Sequence, residues 1–160
     1  MVSSRVGEGS SFKVCLPRFS GHETGKESVE SAPENHDGSE TILLVDDSAP
    51  LRKMLSVALS RSGYCVLEAS DGVQACEISK SHPGPIDLLI TDIVMPRMGG
   101  TELAKTIVQD RADIALVFTT GYAADNYAIP NEPLRRIATI QKPYRIDELL
   151  RVVRNILDKE

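Results

Sequence analysis

Asp46, Asp47, Asp92, Thr119, Thr120 and Lys142 are the residues of this 160-residue chain whose types and places could do chemistry together. Each stands close behind a short aliphatic run: ILLV at 42–45, IDLLI at 86–90, IALVF at 114–118 and IATI at 137–140. Three carboxylates gathered within a few ångströms repel, each pair by about 4 kcal/mol at ~4 Å in an effective dielectric near 20. An ammonium group such as Lys142 offsets one charge, and a divalent cation that prefers hard oxygen offsets the rest. Two carboxylates, a backbone carbonyl and waters suit the octahedral demand of Mg²⁺ better than a closed calcium cage does. An aspartate beside such a metal is a usable nucleophile towards phosphorus, and the Thr120 hydroxyl and Lys142 ammonium suit the remaining phosphoryl oxygens. Taken singly, each residue has a plainer reading: Asp47 or Ser48 as a helix cap, Lys142 as a solvated surface group. Unrelated caps, however, have no reason to fall together at the ends of these runs.

The elements that must position them follow from periodicity. Continuous apolar runs, with CVLEA at 65–69 as the fifth, are what strands covered on both faces require, and such strands belong to parallel sheets. Between them Leu51, Met54, Leu55 and Ala58 lie at helical spacing, with Ser48 as N-cap, Pro50 in the first turn and Gly63 past the end. Asp71 opens a second helix with Val73, Ala75, Cys76 and Ile78. Leu103, Ala104, Ile107 and Val108 mark a third, and Ile146, Leu149, Leu150, Val153 and Leu157 mark the last. A helix after the fourth strand should be short or irregular, because Pro130 and Pro133 fall there. Five strands alternating with helices predict a flavodoxin-like, doubly wound α/β fold with a five-stranded parallel sheet in the order 2-1-3-4-5. In such sheets ligands gather beyond the carboxyl ends of the strands, which is where the acids stand.

Composition sets the outer limits. With 41% hydrophobic and 26% charged residues the chain is globular, and 4% aromatics without Trp argues against a sandwich built on aromatic pairs. No apolar stretch approaches the roughly 20 residues that span a bilayer, and the first residues form no signal peptide, so a cytoplasmic protein without direct membrane contact is expected. Cys15, Cys65 and Cys76 have neither disulfide nor zinc spacing and read as buried free thiols. His22, His36 and His82 form no ligand set.

Charge is unevenly placed. Of the net −5, residues 1–18 hold +2, from Arg5, Lys13 and Arg18 against Glu8; residues 19–40 hold −5, from six acids against Lys26; residues 41–160 hold −2. The near-neutral folded part carries no footprint for nucleic acid. Residues 19–40, with Phe19, Val29 and Ala32 their clearly apolar members, read as a flexible acidic linker that self-repels and extends.

ILLVDDS, TDIVMPRMGG, FTTGY and QKPY, in that order over residues 40–160, resemble the four signatures of two-component receiver (response regulator, CheY-like) domains. The resemblance implies that Asp92 is the phosphoacceptor, with Asp47 a direct Mg²⁺ ligand, Asp46 an acid holding the metal partly through water, and the Val94 carbonyl a backbone ligand. It implies Thr120 as the switch hydroxyl, Lys142 as the phosphate-pairing lysine, turn-shaping roles for Pro96 and Gly99, and a cis Lys142–Pro143 bond. It further implies that the domain promotes its own phosphorylation and dephosphorylation, taking phosphate from a phosphohistidine-bearing kinase or a histidine-phosphotransfer domain. One departure stands out: Thr139 occupies the position where many receivers carry an aromatic switch residue.

Residues 1–18 resemble the last strand of a histidine-kinase ATP-binding domain, through Ser4, Gly7, Gly9, Ser10, Phe12, Val14, Leu16 and Pro17. That implies a remnant of a hybrid sensor kinase, a class whose parent proteins include membrane-associated ones, with no kinase activity in this fragment. Without its sheet the segment is expected to be unordered or to pair with a neighbour's edge. The expected organisation is thus a remnant at 1–18, a linker at 19–40 and a receiver at 41–160. No effector follows the last helix, so a direct transcriptional output is not expected. The alternatives are a stand-alone single-domain response regulator and an FMN-binding flavodoxin-like module. The flavin reading lacks a glycine-dense phosphate loop, and a haloacid-dehalogenase-type phosphatase would need an acid where Val94 stands.

Overall fold

The computed structural model describes residues 2–5, 7, 9–13, 38–121 and 136–158. They divide into two compact units, Met1–Glu34 and Asn35–Glu160.

In the first unit β1 (Val2–Arg5) pairs antiparallel with β2 (Gly9–Phe12), Val2 opposite Phe12 and Arg5 opposite Gly9. The expectation of an unordered or neighbour-paired segment is corrected here: the strand finds its partner within itself. Gly7 and Gly9, with φ of 84° and 93°, supply the left-handed backbone that reverses the chain between the strands. Cys15 and most of the acidic linker lie outside the described residues.

The second unit contains β3 (Thr41–Val45), α1 (Ala49–Arg61), β4 (Cys65–Ala69), α2 (Gly72–Ser81), β5 (Leu88–Asp92), α3 (Gly100–Asp110), β6 (Ala115–Thr120), β7 (Ile137–Gln141) and α4 (Ile146–Leu157). Its five strands are all parallel in the order β4-β3-β5-β6-β7, which is 2-1-3-4-5 in the numbering of the sheet. One apolar layer, around Leu43, Leu89, Leu116 and Phe118, packs with Leu103 and Ile107 of α3. The opposite layer, around Ile42, Leu44, Ile90 and Val117, packs with Leu55 and Leu59 of α1 and Leu149 and Val153 of α4.

Several details depart from the sequence reading. The third strand starts at Leu88 rather than Ile86, because Asp87 caps the neighbouring strand: its Oδ2 accepts from Thr41 N at 2.7 Å. It runs on to Asp92 because Thr91 and Asp92 keep pairing with Phe118 and Thr119 of β6. CVLEA is an edge strand, exposed at Cys65 and partly open along its length, so the buried-thiol reading fails at Cys65, while Cys76 is half-buried. Met54 faces solvent, and Ser56 and Leu59 turn inward with Leu55. Ser48 stands at the N-cap without a side-chain bond, whereas the Asp71 carboxylate accepts from Val73 N and Gln74 N at the start of α2. The region around Pro130 and Pro133 lies outside the described residues. Gly38 and Glu40, counted with the linker, are fixed to this unit: Gly38 N donates to Ser62 O at 2.9 Å and Arg154 holds Glu40 at 2.6 Å.

Candidate functional site

Parallel pairing brings the carboxyl ends of β3, β5, β6 and β7 to one edge, and the acids follow. Asp46, directly after β3, is buried, and its Oδ1 accepts from Ser48 N at 2.9 Å. Asp92, the last residue of β5, keeps a partly buried carboxylate whose Oδ1 accepts from Val94 N at 3.3 Å. Lys142, after β7, joins the two: its Nζ donates to Asp92 Oδ2 at 2.7 Å and to Asp46 Oδ2 at 3.1 Å. Burial alone would lower the pKa of the Lys142 ammonium, but the hydrogen bonds and charges of Asp92 and Asp46 outweigh it and the net shift is upward. The lysine is therefore charged at any physiological pH.

Asp47, one residue further, is exposed, with no hydrogen bond or ion pair to another described residue. Val94 is likewise exposed, on the loop after the acid. Thr120 is buried at the end of β6, and its carbonyl accepts from Lys142 N at 2.7 Å, tying the lysine's backbone to that strand. The Lys142–Pro143 bond is cis. Thr139 is exposed on β7.

The structure thus brings Asp46, Asp92 and Lys142 into contact and leaves Asp47 and Val94 beside them, open to solvent. The three carboxylates do not close into a ligand cage, and among the described residues no three His, Cys, Asp or Glu side chains do so. The donor chemistry nevertheless fits a hard divalent cation. Three carboxylates face one ammonium, and the unpaired acid is the one exposed to solvent.

The loop from Ile93 to Gly99 is shaped by close packing. Gly100 N donates to Ile93 O at 3.0 Å, and a Cβ on Gly100 would lie 2.2 Å from the Asp92 carbonyl oxygen. Only glycine lets α3 start so near the acid. Two residues given little weight in the sequence also stand here. Tyr144 packs against the apolar layer that holds Leu149 and Val153, with its hydroxyl buried and without a hydrogen-bond partner among the described residues; burial, opposed by the charge of Lys142 and aided by those of Asp46 and Asp92, pushes its pKa up to about 12. Arg97 pairs with Asp71 across the loop. Tyr144 stood in view within QKPY, but nothing local indicated where its hydroxyl would lie. The Arg97–Asp71 pair spans 26 residues and had no local signal at all.

Comparison with known proteins bears on the family and the fold. The model of the response regulator receiver domain matches residues 42–154. The chain is 33% identical over 164 residues to the sensor kinase CckA of Brucella abortus, an alignment covering 98% of this chain and 17% of that protein. It is 34% identical over 116 residues to the response regulator receiver protein CpdR of the same organism, covering 72% of this chain and 95% of that one. Among solved structures, the receiver domain from hybrid histidine kinase CckA superposes with a TM-score of 0.57 at 30% identity, covering 74% of this chain and 99% of that one. Response regulator TrrA of Thermotoga maritima in complex with Mg(2+)-BeF gives a TM-score of 0.63 at 29% identity, covering 73% and 98%.

The chain belongs to the response regulator receiver family, and its function is that of a phosphoacceptor receiver in two-component signalling. Receivers as a class bind Mg²⁺ and work with histidine kinases or phosphotransfer partners. Family membership removes the flavin-binding alternative. No helix among the described residues is long and apolar enough to cross a membrane.

Proposed function

We propose that Asp92 accepts the phosphoryl group, with Asp46, Asp47, Asp92 and the Val94 carbonyl holding Mg²⁺, Thr120 and Lys142 binding phosphoryl oxygens, and a phosphohistidine as the donor. The observation that carries this is the Lys142 ammonium bridging Asp92 and Asp46 at the strand ends. When bound, Mg²⁺ supplies charge screening for the incoming phosphoryl oxygens. The protein's own groups do the rest. Asp92 Oδ attacks phosphorus while the P–N bond to the donor imidazole breaks; the electron pair stays on that nitrogen, and the imidazole, already protonated on its other ring nitrogen, leaves neutral. Lys142, already 2.7 Å from Asp92, transfers its hydrogen bond from the carboxylate to the phosphoryl oxygens. Thr120, at the adjacent strand end, offers its hydroxyl to the same group. Asp46, which would lose part of its bond to the lysine, is one of the acids that would hold the cation.

The donor's docking face is the groove between α1 and α4. It has a volume of about 470 Å³ and is lined by Pro50, Met54, Val57 and Ile146, with Lys53 and Arg61 at its side. Arg52 is not part of this face: its guanidinium folds back to the Asp46 carbonyl and Glu68. An apolar stripe flanked by cations suits a helical bundle presenting a histidine, and α1 and α4 begin at Ala49 and Ile146, a few residues past Asp47 and Lys142.

The chain spans 17% of the length of its sensor-kinase relative, and the alignment reaches across residues 1–40 as well as the receiver. We therefore read residues 1–18 as kinase-derived, 19–37 as a linker, and the whole as a cytoplasmic, receiver-bearing region of a hybrid histidine kinase that does not bind nucleic acid. The match to nearly all of a receiver-only protein supports a second reading, a stand-alone response regulator. Phosphotransfer profiling decides between them: a hybrid-kinase receiver is labelled fastest by its parent kinase core or a partnered phosphotransfer domain. Asp92→Asn abolishes labelling by every donor; undiminished labelling of that variant would move the acceptor elsewhere.

A further inference from the structure

Arg97 lies at the centre of a three-residue turn closed by Met98 N donating to Pro96 O at 2.8 Å. Its φ of 67° makes it the one described residue other than glycine in the left-handed region, and an i→i+2 bond around such a residue has the pattern of the rare, strained form of the γ-turn. Something outside the turn must hold a side-chain-bearing residue in this conformation. The structure supplies it: the Arg97 guanidinium is ion-paired with Asp71 Oδ2. Asp71 is almost fully buried, and its other oxygen, Oδ1, accepts from Val73 N at 2.9 Å and Gln74 N at 3.1 Å, capping α2. The next residue of the loop, Met98, lies against Gly72, where a Cβ would meet three of its atoms within 2.8 Å, and its sulfur is 4.0 Å from Cys76 Sγ. Two successive loop residues are therefore pinned to the first turns of α2. The same loop carries Val94, whose N–H is bonded to the Asp92 carboxylate.

We propose that Arg97 and Asp71 are a positioning pair, in which the cap of α2 doubles as the anchor that holds the acceptor loop in the shape that binds the metal. The pair touches neither phosphoryl nor metal. It acts by fixing the backbone between Asp92 and Gly100, and so the direction of the Val94 carbonyl. This rests on the assignment of Asp92 and Val94 made above.

Two substitutions separate the ion pair from its alternatives. Arg97→Gly removes the guanidinium while relieving the unfavourable φ, so a loop governed by backbone preference alone is as well ordered as before, or better. Asp71→Asn keeps an oxygen that caps α2 but loses the charge. On the full chain, amide hydrogen exchange of residues 93–99 is measured without metal, together with the Mg²⁺ concentration giving half of the beryllofluoride-dependent thermal stabilisation. Each single variant is expected to exchange about tenfold faster in the loop and to need about tenfold more Mg²⁺, and the double variant to be no worse than the worse single. Wild-type exchange and Mg²⁺ requirement in Arg97→Gly would overturn the pair, as would effects confined to Asp71→Asn, which belong to the helix cap. If beryllofluoride stabilises no form of the protein, the acceptor assignment fails while the exchange data still judge the pair.

Discussion

At each end of the parallel sheet one cation faces several carboxylates, and the two arrangements differ in what they leave over. Where the chain enters β3, Arg154 of α4 pairs with Glu40 at 2.6 Å and Asp158 at 2.8 Å and lies 3.5 Å from the Tyr64 hydroxyl. Both acids of that group bond to the same guanidinium, and none is left over. Where the strands end, Lys142 serves Asp46 and Asp92, and Asp47 is left in solvent without a partner among the described residues. The first network is closed and contributes only to stability. The second is open: its surplus negative charge favours a cation, and only with that charge offset does the site suit an anionic phosphoryl group.

If this contrast is right, substitutions at the two ends respond differently to Mg²⁺. The largest effect on stability belongs to Lys142→Met, which strands the buried Asp46 carboxylate and is expected to cost about 3 kcal/mol in metal-free buffer. Denaturant melts with and without Mg²⁺ check this: Mg²⁺ present at about 100 times its Kd returns at most about 2.7 kcal/mol, and a variant as stable as wild type without metal would mean the lysine is not balancing the acids. Asp47→Asn comes next and has the opposite sign. It removes repulsion and no partner, so metal-free stability holds or rises slightly, while the Mg²⁺-dependent rise in Tm disappears; retention of that rise would exclude Asp47 as a ligand.

Glu40→Gln is the smallest, about 0.5 kcal/mol for a partly exposed pair, and the same loss is expected with and without Mg²⁺. Its signature is pH. The hydrogen bond from Arg154 holds the Glu40 pKa below the ordinary 4.5 despite the opposing effect of burial. The pair's contribution is therefore complete above that value and fades as pH falls through the lowered one, a fade that Glu40→Gln abolishes. Lys142 has the mirror-image behaviour: its pKa is raised, so its contribution is complete below 10.5 and is lost as pH climbs past the raised value. Identical acid limbs for Glu40→Gln and wild type in a stability titration would remove Glu40 from the closed network.

The sheet was legible because β3, β5 and β6 are buried on both faces, and such strands appear in sequence as unbroken aliphatic runs. The edges were harder. An edge strand needs fewer apolar residues, so CVLEA looked like a core strand while leaving Cys65 exposed. Helix faces were legible to within about one residue: Leu55 was placed inward and Met54 with it, although Met54 lies 100° round the helix from Leu55 and ends in solvent. At the site, acids and lysine could be located because parallel pairing puts strand ends together whatever the loops do. Bond partners could not be read. That Lys142 would take Asp46 and Asp92 and leave Asp47, or that Asp71 would hold Arg97 besides capping α2, depends on backbone angles and on residues 26 to 96 positions apart.

The acceptor assignment is tested most directly by chemical mapping of the phosphorylated residue. The protein is incubated with acetyl phosphate and Mg²⁺, reduced with borohydride so that any acyl phosphate becomes an alcohol, and digested for peptide mass spectrometry. Conversion of Asp92 to homoserine, dependent on Mg²⁺ and absent without acetyl phosphate, is the predicted result. An unmodified Asp92, or a homoserine at Asp46 or Asp47 in its place, would contradict it.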